Sequence, residues 1–249
     1  MSFPAVPALP AGPNLPGMVR SRESIVNRCS LARLTVHRGL SRLLAATLFP
    51  PRCCLCGFPG ASLDLDLCTY CRAELPWDVF PGDALTALRY EHPVDELVRQ
   101  LKYQGVIAYA RVLGVLLADV ARARGGPLPR LLVPVPLHGA RWRERGFNQA
   151  AAIARYAGQL LGVPVARHVV RRVRDTPSQT ALDVRARRRN VSGAFAVAGG
   201  RQQRRLLVAE HVAVVDDVIT TGSTVNEVRA VLRGAGVRQV EAWAVARAE

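Results

Sequence analysis

The chain has 249 residues, with 34 Lys plus Arg against 19 Asp plus Glu and a formal net charge of +15. That length suits one large domain, or a domain of about 150 residues with a small module attached, and 49% hydrophobic residues exclude wholesale disorder. No apolar run reaches the ~18 residues of a membrane span; the best, 112–118, is bounded by Arg111 and Asp119, and the composition excludes collagen and coiled coil as well.

The positive charge is concentrated. Residues 130–205 hold 16 Arg and 3 acids, a surplus of +13, whereas 1–52 carry +6 and the segments 53–129 and 206–249 carry −2 each. A preference for Arg explains why Lys102 is the only lysine, but it does not explain the clustering. A central block of this kind points to an anionic partner, either a nucleic acid or a phosphorylated small molecule.

In chain order, Pro4, Pro7, Pro10, Pro13 and Pro16 recur every third residue, which favours polyproline II and prevents helix or sheet. Residues 1–28 are therefore expected to be a disordered, Pro-rich leader. Residues 30–48 have a helical period in Leu31, Leu34, Leu40, Leu43, Leu44 and Leu48, with Arg33, Arg38 and Arg42 between them. Such a helix packs its leucines on its own protein or lies on a membrane surface, and packing is the preferred reading.

Of six cysteines, five fall at 53, 54, 56, 68 and 71 and the sixth is Cys29. Cys53-x-x-Cys56-Gly57 and Cys68-x-x-Cys71 are two thiolate pairs, each spaced so that one tight turn aims both sulfurs inward. Gly57 suits a turn that needs positive φ. Two such turns make a closed four-cysteine site of the kind that holds structural zinc; a disulfide knot is the alternative. No signal peptide precedes the cysteines, so a reducing cytoplasm is expected, and with it metal rather than disulfides. Cys54 stays open as a competitor of Cys53 for the fourth ligand position. Residues 29–83 are thus expected to form a helix plus zinc-ribbon module.

Beyond residue 84 the chain alternates as parallel α/β domains do. Strands are expected at 84–91, 131–136, 167–173, 194–197, 212–215 and 237–246. Helices are expected at 94–103, 108–124, 148–161 and 224–233, and 174–190 is polar with no clear period. The chemistry concentrates in Val212-Ala213-Val214-Val215-Asp216-Asp217-Val218-Ile219-Thr220-Thr221-Gly222-Ser223-Thr224. A buried strand ends in two acids, and a hydroxyl-rich loop with Gly222 then opens a helix, which makes a phosphate cradle of backbone N–H groups. The acids cannot bind phosphate. Vicinal sugar hydroxyls are their natural partners, so the segment describes a ribose 5-phosphate site.

This segment resembles the 5-phosphoribosyl-1-pyrophosphate (PRPP) motif of type I phosphoribosyltransferases. Val133-Pro134-Val135-Pro136-Leu137-His138, Arg141-x-Arg143-x-Arg145-Gly146-Phe147-Asn148-Gln149, Leu101-Lys102-Tyr103-Gln104-Gly105 and Thr176-Pro177-Ser178-Gln179-Thr180-x-Leu182 with Arg188-x-Asn190 sharpen the likeness. Together with the cysteines they resemble the ComF/GntX family, competence-associated proteins that join zinc ribbons to a phosphoribosyltransferase domain, over residues 50–246.

The resemblance implies an α/β fold over 84–249, a type I phosphoribosyltransferase-like parallel sheet flanked by helices, with the zinc ribbon before it. It implies PRPP or a related ribose phosphate, bound with Mg²⁺, as ligand, and transfer to an unidentified acceptor through loss of pyrophosphate from C1 with oxocarbenium character. Asp216 and Asp217 would hold the ribose hydroxyls and the metal's waters, and Thr220, Thr221, Gly222, Ser223 and Thr224 the 5-phosphate. Val135, Pro136 and Leu137 would form the pyrophosphate loop, with Lys102, Arg141, Arg143 and Arg145 as basic contacts. Gln179, Arg185 and Arg188 would belong to a hood that excludes water. His138 fits a hydrogen-bonding role at the loop start better than an acid–base one. Purine-salvage members often carry an acid where this chain has Thr220, which argues against a 6-oxopurine acceptor. The implied partners are single-stranded DNA and a DNA-uptake helicase, and a non-catalytic DNA-binding protein that keeps the site as a ligand sensor is the alternative to an enzyme.

Overall fold

The structure is a computed structural model, and it describes residues 52–60, 65–78, 83–174, 191–200 and 211–248. The expected leader, the leucine-patterned segment 30–48, Cys29 and the expected hood residues Gln179, Arg185 and Arg188 lie outside the described residues.

The described elements in chain order are α1 (Thr69–Ala73), β1 (Ala84–Arg89), α2 (Val94–Gln104), α3 (Ala108–Ala123), β2 (Leu131–Pro134), α4 (Gly139–Arg145), α5 (Gln149–Leu161), β3 (Val170–Arg172), β4 (Phe195–Val197), β5 (His211–Ile219), α6 (Ser223–Gly234) and β6 (Gln239–Arg247). β1, β6, β5 and β2 form one sheet in that order, with every neighbouring pair parallel. β3 and β4 pair antiparallel in a separate ribbon.

Both faces of the sheet are covered, as a parallel sheet requires. Side chains alternate along a strand, so each strand feeds two cores. Ala213, Val215, Trp243 and Val245 pack with α2, α3 and α5, whereas Val212, Val214, Ala242 and Ala244 pack with α6 and the ribbon. α2 shows the helical version of the same logic. Val94, Leu97, Val98 and Leu101 are buried at i, i+3, i+4 and i+7, with Asp95 and Glu96 in the first turn and Lys102 in the last. α3 and α5 approach closely at Gly114, where an added Cβ would lie 2.7 Å from Tyr156 Cβ and 2.8 Å from the Ile153 carbonyl oxygen. Only glycine fits that contact.

The cysteine-bearing residues belong to the same compact unit, Phe49–Glu249. Leu65, Leu67 and Leu75 join Leu97, Leu101 and Leu113 in one buried cluster. Arg72 pairs with Asp119 of α3 at 2.9 Å, and Arg111 of α3 pairs with Asp66.

Four expectations are corrected. The strand at 167–173 shrinks to Val170–Arg172 and leaves the parallel sheet for the ribbon. The strand at 212–215 continues to Ile219, so both acids lie within β5 rather than after it, because β6 pairs beside it through Ile219↔Arg247. The strand at 131–136 stops at Pro134, and Pro136 lies in the loop beyond. Arg141, Arg143 and Arg145 sit on the short helix α4, too brief to show a period and bounded by His138 before and Gly146, at φ 74°, after. On a helix, residues two apart face different ways.

Candidate functional site

β5 delivers Asp216 and Asp217 at its C-terminal end, the end of a parallel sheet where ligands bind in open α/β folds. Consecutive strand residues point to opposite faces, and each carboxylate also accepts from the next backbone N–H: Asp217 N–H to Asp216 Oδ1 at 2.9 Å, and Val218 N–H to Asp217 Oδ1 at 2.9 Å. Lys102, from the last turn of α2, reaches Asp217 Oδ2 at 2.6 Å, with the Asp217 side chain only 6% exposed.

This ion pair divides the acids electrically. Burial acts upward on Asp217, but the Lys102 ammonium and its hydrogen bond outweigh it and hold the carboxyl below its usual range. Burial and then the Asp217 charge push Asp216 well above that range, and Lys102 offsets this only in part. Burial acts downward on Lys102, yet Asp217 and then Asp216 hold it above its ordinary value. The pair therefore favours the charged form of Asp217 and disfavours that of Asp216.

A cleft of about 450 Å³ opens above this pair. Pro136 and Leu137 of the β2–α4 loop and Arg141 and Arg145 of α4 form one wall, and Thr220 and Thr224 line it beyond β5. Val135 and Lys102 also line it. The remaining loop residues are used differently: Thr221 and Ser223 hydroxyls bond each other at 2.7 Å. Gly222, at φ 69°, caps α6, and an added Cβ there would sit 3.2 Å from Asn226 Nδ2. Arg143 does not line the cleft; it is exposed, turned away by the helical spacing of α4.

The supporting hydrogen bonds are local. Asn148 caps α5, its Oδ1 accepting from Ala151 N–H at 3.1 Å, while its Nδ2 donates to the Val135 carbonyl at 2.9 Å and fixes the start of the loop. His138 Nδ1 accepts from Ala140 N–H at 3.4 Å and caps α4. The fold adds residues that sequence reasoning did not assign. Tyr90 and Arg99 line the cleft. Gln149, buried at the start of α5, also lines it, and its Oε1 has no hydrogen-bond partner among the described residues. Gln149 stands in the Gly-Phe-Asn-Gln run that the sequence marks, but only the fold turns it toward the acids.

The cysteine site is compact. The sulfurs of Cys53, Cys56, Cys68 and Cys71 all lie within 4.8 Å of one another, with Cys56 and Cys68 at 3.6 Å. A tetrahedral zinc with Zn–S near 2.3 Å needs sulfurs about 3.8 Å apart, so the four cysteines could hold that metal. Gly57 takes φ 76° after the first pair, and Cys71 N–H donates to Cys68 Sγ at 3.3 Å. Burial pushes the Cys53 thiol upward, but bonds from the Cys68, Cys56 and Leu55 backbone outweigh it and bring it down to about 6. Cys54 stands apart from the group; burial, then the Cys53 and Asp66 charges, push its thiol up to about 12.

No family model matches the chain. It is 34% identical to Competence protein F of Haemophilus influenzae over 202 residues, covering 78% of this chain and 84% of that protein. The chain belongs to the ComF family. It is also 35% identical to DNA utilization protein YhgH of Salmonella typhi over 200 residues, 78% of this chain and 83% of the relative. With the protein of the same name from Escherichia coli O157:H7 it shares 33% identity over 228 residues, 88% and 96% of the two chains. Among the described residues of this ComF protein, no helix is long and apolar enough to cross a membrane.

Proposed function

We propose that this protein acts in DNA uptake or use, and that its cleft binds PRPP with Mg²⁺ and transfers the phosphoribosyl group to an acceptor not yet identified. The observation that supports the ligand is the cleft itself: two acids at the C-terminal end of β5, hydroxyls of Thr220 and Thr224 beyond them, and Lys102, Arg141 and Arg145 opposite. The names of the relatives support the cellular role.

Each residue has a task in this reading. Thr220 to Thr224 hold the 5-phosphate, where the N-terminus of α6 favours negative charge. Asp216 and Asp217 accept hydrogen bonds from the ribose hydroxyls. Arg141 and Arg145 neutralise the diphosphate beside Val135 to Leu137 as bidentate donors suited to phosphate. Carboxylate oxygens are the hard donors that magnesium takes, and the ion would supply charge stabilisation on the diphosphate. Bound zinc is proposed for Cys53, Cys56, Cys68 and Cys71, as a structural element.

A second reading is that the protein binds single-stranded DNA, alone or with a DNA-uptake helicase, and uses the cleft to sense a ligand. The +13 block at 130–205 favours it. Calorimetric titration with PRPP–Mg²⁺, with and without single-stranded DNA, tests both. The transferase reading expects saturable binding of PRPP–Mg²⁺. Absence of that binding removes the PRPP site, and coupling between the two ligands joins the readings.

A further inference from the structure

A second groove lies behind the wall of the cleft. It encloses about 490 Å³, shares Pro136, Leu137 and Arg172 with the cleft, and is bounded by α4, α5 and the chain leading into and through β3. Its composition differs sharply: Arg155, Arg167, Arg171 and His168 line it with Trp142 and Phe147, and no carboxylate does. Trp142 is 55% exposed, a large aromatic surface facing solvent. None of Arg155, Arg167 and Arg171 pairs with a carboxylate among the described residues; Arg155 instead rests 4.2 Å over the Tyr156 ring.

From this groove we infer a binding track for single-stranded DNA, separate from the acid-bearing cleft. The inference rests on the DNA-handling reading above. Unpaired guanidinium groups around a concave surface supply contacts to successive phosphates. An exposed indole beside them offers a face on which a base can stack, and every base has such a face. Duplex DNA keeps its bases stacked internally, so the indole selects the single strand. An acidic peptide would satisfy the arginines but gains nothing from a stacking face. The antiparallel ribbon explains why the arginines meet α4 and α5: β3 leaves the parallel sheet and carries Arg171 beside the groove.

The experiment is titration of the full chain with fluorescein-labelled oligo(dT) between low and physiological salt, read by anisotropy. Arg167→Glu with Arg171→Glu should weaken binding at low salt tenfold or more. The same pair should lower the slope of log affinity against log salt by about 1.4, at roughly 0.7 per phosphate contact for single strands. Trp142→Ala should weaken binding about tenfold and leave the slope unchanged, the signature of stacking without charge. Arg130→Glu with Arg233→Glu makes the same change of net charge at exposed residues outside the groove and should have little effect. Asp216→Asn should leave DNA binding unchanged. Thermal melting of each variant establishes that it is folded.

Wild-type protein that fails to bind oligo(dT) at low salt overturns the DNA reading and the groove together. Binding that persists equally in both double variants overturns the groove alone. So does equal loss in the two, or equal competition by duplex DNA or polyglutamate. Tighter binding of oligo(rU) with the same residue dependence would overturn DNA as the occupant.

Discussion

The cysteine site and the acid-bearing cleft are built in opposite ways. The four sulfurs come from two short turns within nineteen residues, each pair three apart, so spacing alone nearly dictates their meeting. The cleft takes Lys102 from α2, Pro136 and Arg145 from the β2–α4 region, Gln149 from α5 and the acids from β5. Its central ion pair joins residues more than a hundred positions apart. A site made of local turns has its ligand spacing set by neighbours in the chain, although its leucines pack on α2 and α3. A site made of strand ends and helix ends exists only while the sheet holds them together.

The comparison breaks first at the metal. The zinc site proposed above predicts about one metal per chain, which Cys68→Ser or chelation should remove; structural zinc contributes on the order of 10 kcal/mol in isolated fingers. Loss confined to the cysteine turns would leave residues 84–249 folded. Because Leu65, Leu67 and Leu75 share a cluster with α2 and α3, the melting temperature of the whole unit should fall as well. Cys54→Ala should keep the metal and Cys53→Ala should lose it. Metal analysis near zero in fresh, reduced protein would remove the site.

The cleft comes next. Mutual repulsion of two acids leads one to expect that neutralising both costs little stability, but Lys102 changes that for one of them. Asp217→Asn removes the nearer partner of the largely buried Lys102 ammonium, leaves Asp216 to compensate only in part, and should cost about 1–3 kcal/mol. Asp216→Asn should cost less, since burial and the Asp217 charge disfavour the charged form of Asp216. Both should abolish PRPP–Mg²⁺ binding. Equal destabilisation by the two, measured by thermal denaturation, would mean that Lys102 does not distinguish them.

Gly114→Ala probes the scaffold common to both sites. Helix propensity alone gains up to about 1 kcal/mol, yet the Ile153 carbonyl and Tyr156 Cβ leave no room. Overpacking costs about 1–3 kcal/mol, so the expected net effect is a lower melting temperature. An unchanged or raised value would show that α3 and α5 can separate freely.

The smallest effect is in pH. Asp217 has a depressed folded value, so its stabilisation is present above the unfolded value of about 4 and lost as pH falls through the folded one. Asp216 has a raised folded value, so its contribution is full below about 4 and declines as pH rises through the folded value. Stability profiles of Asp216→Asn should therefore lose the decline on the alkaline side of pH 4 and keep the acid loss due to Asp217. PRPP–Mg²⁺ affinity should rise with pH through the same Asp216 titration. A flat affinity would place the proton elsewhere.

Hydrophobic period and turn residues made most of the fold legible. Residues 94–103 and 108–124 show the helical repeat that α2 and α3 bury, and the apolar runs at 131–136, 212–215 and 237–246 mark the three strands at the sheet's centre and one edge. The short α4 was not legible, since seven residues between His138 and Gly146 carry no repeat. Placed on a helix, Arg141 and Arg145 face the cleft while Arg143 faces away.

Neighbours in the chain specify the spacing of the four cysteines, the Asp-Asp run before a hydroxyl loop, and the basic block. These are short-range patterns, and covalent geometry carries them into the structure. Folding is what pairs Lys102 with Asp217, buries Gln149 against the cleft, and takes β3 and its arginines out of the sheet to a second groove. Parallel pairing and helix packing set those contacts across long separations, and no local pattern encodes which distant side chain will arrive.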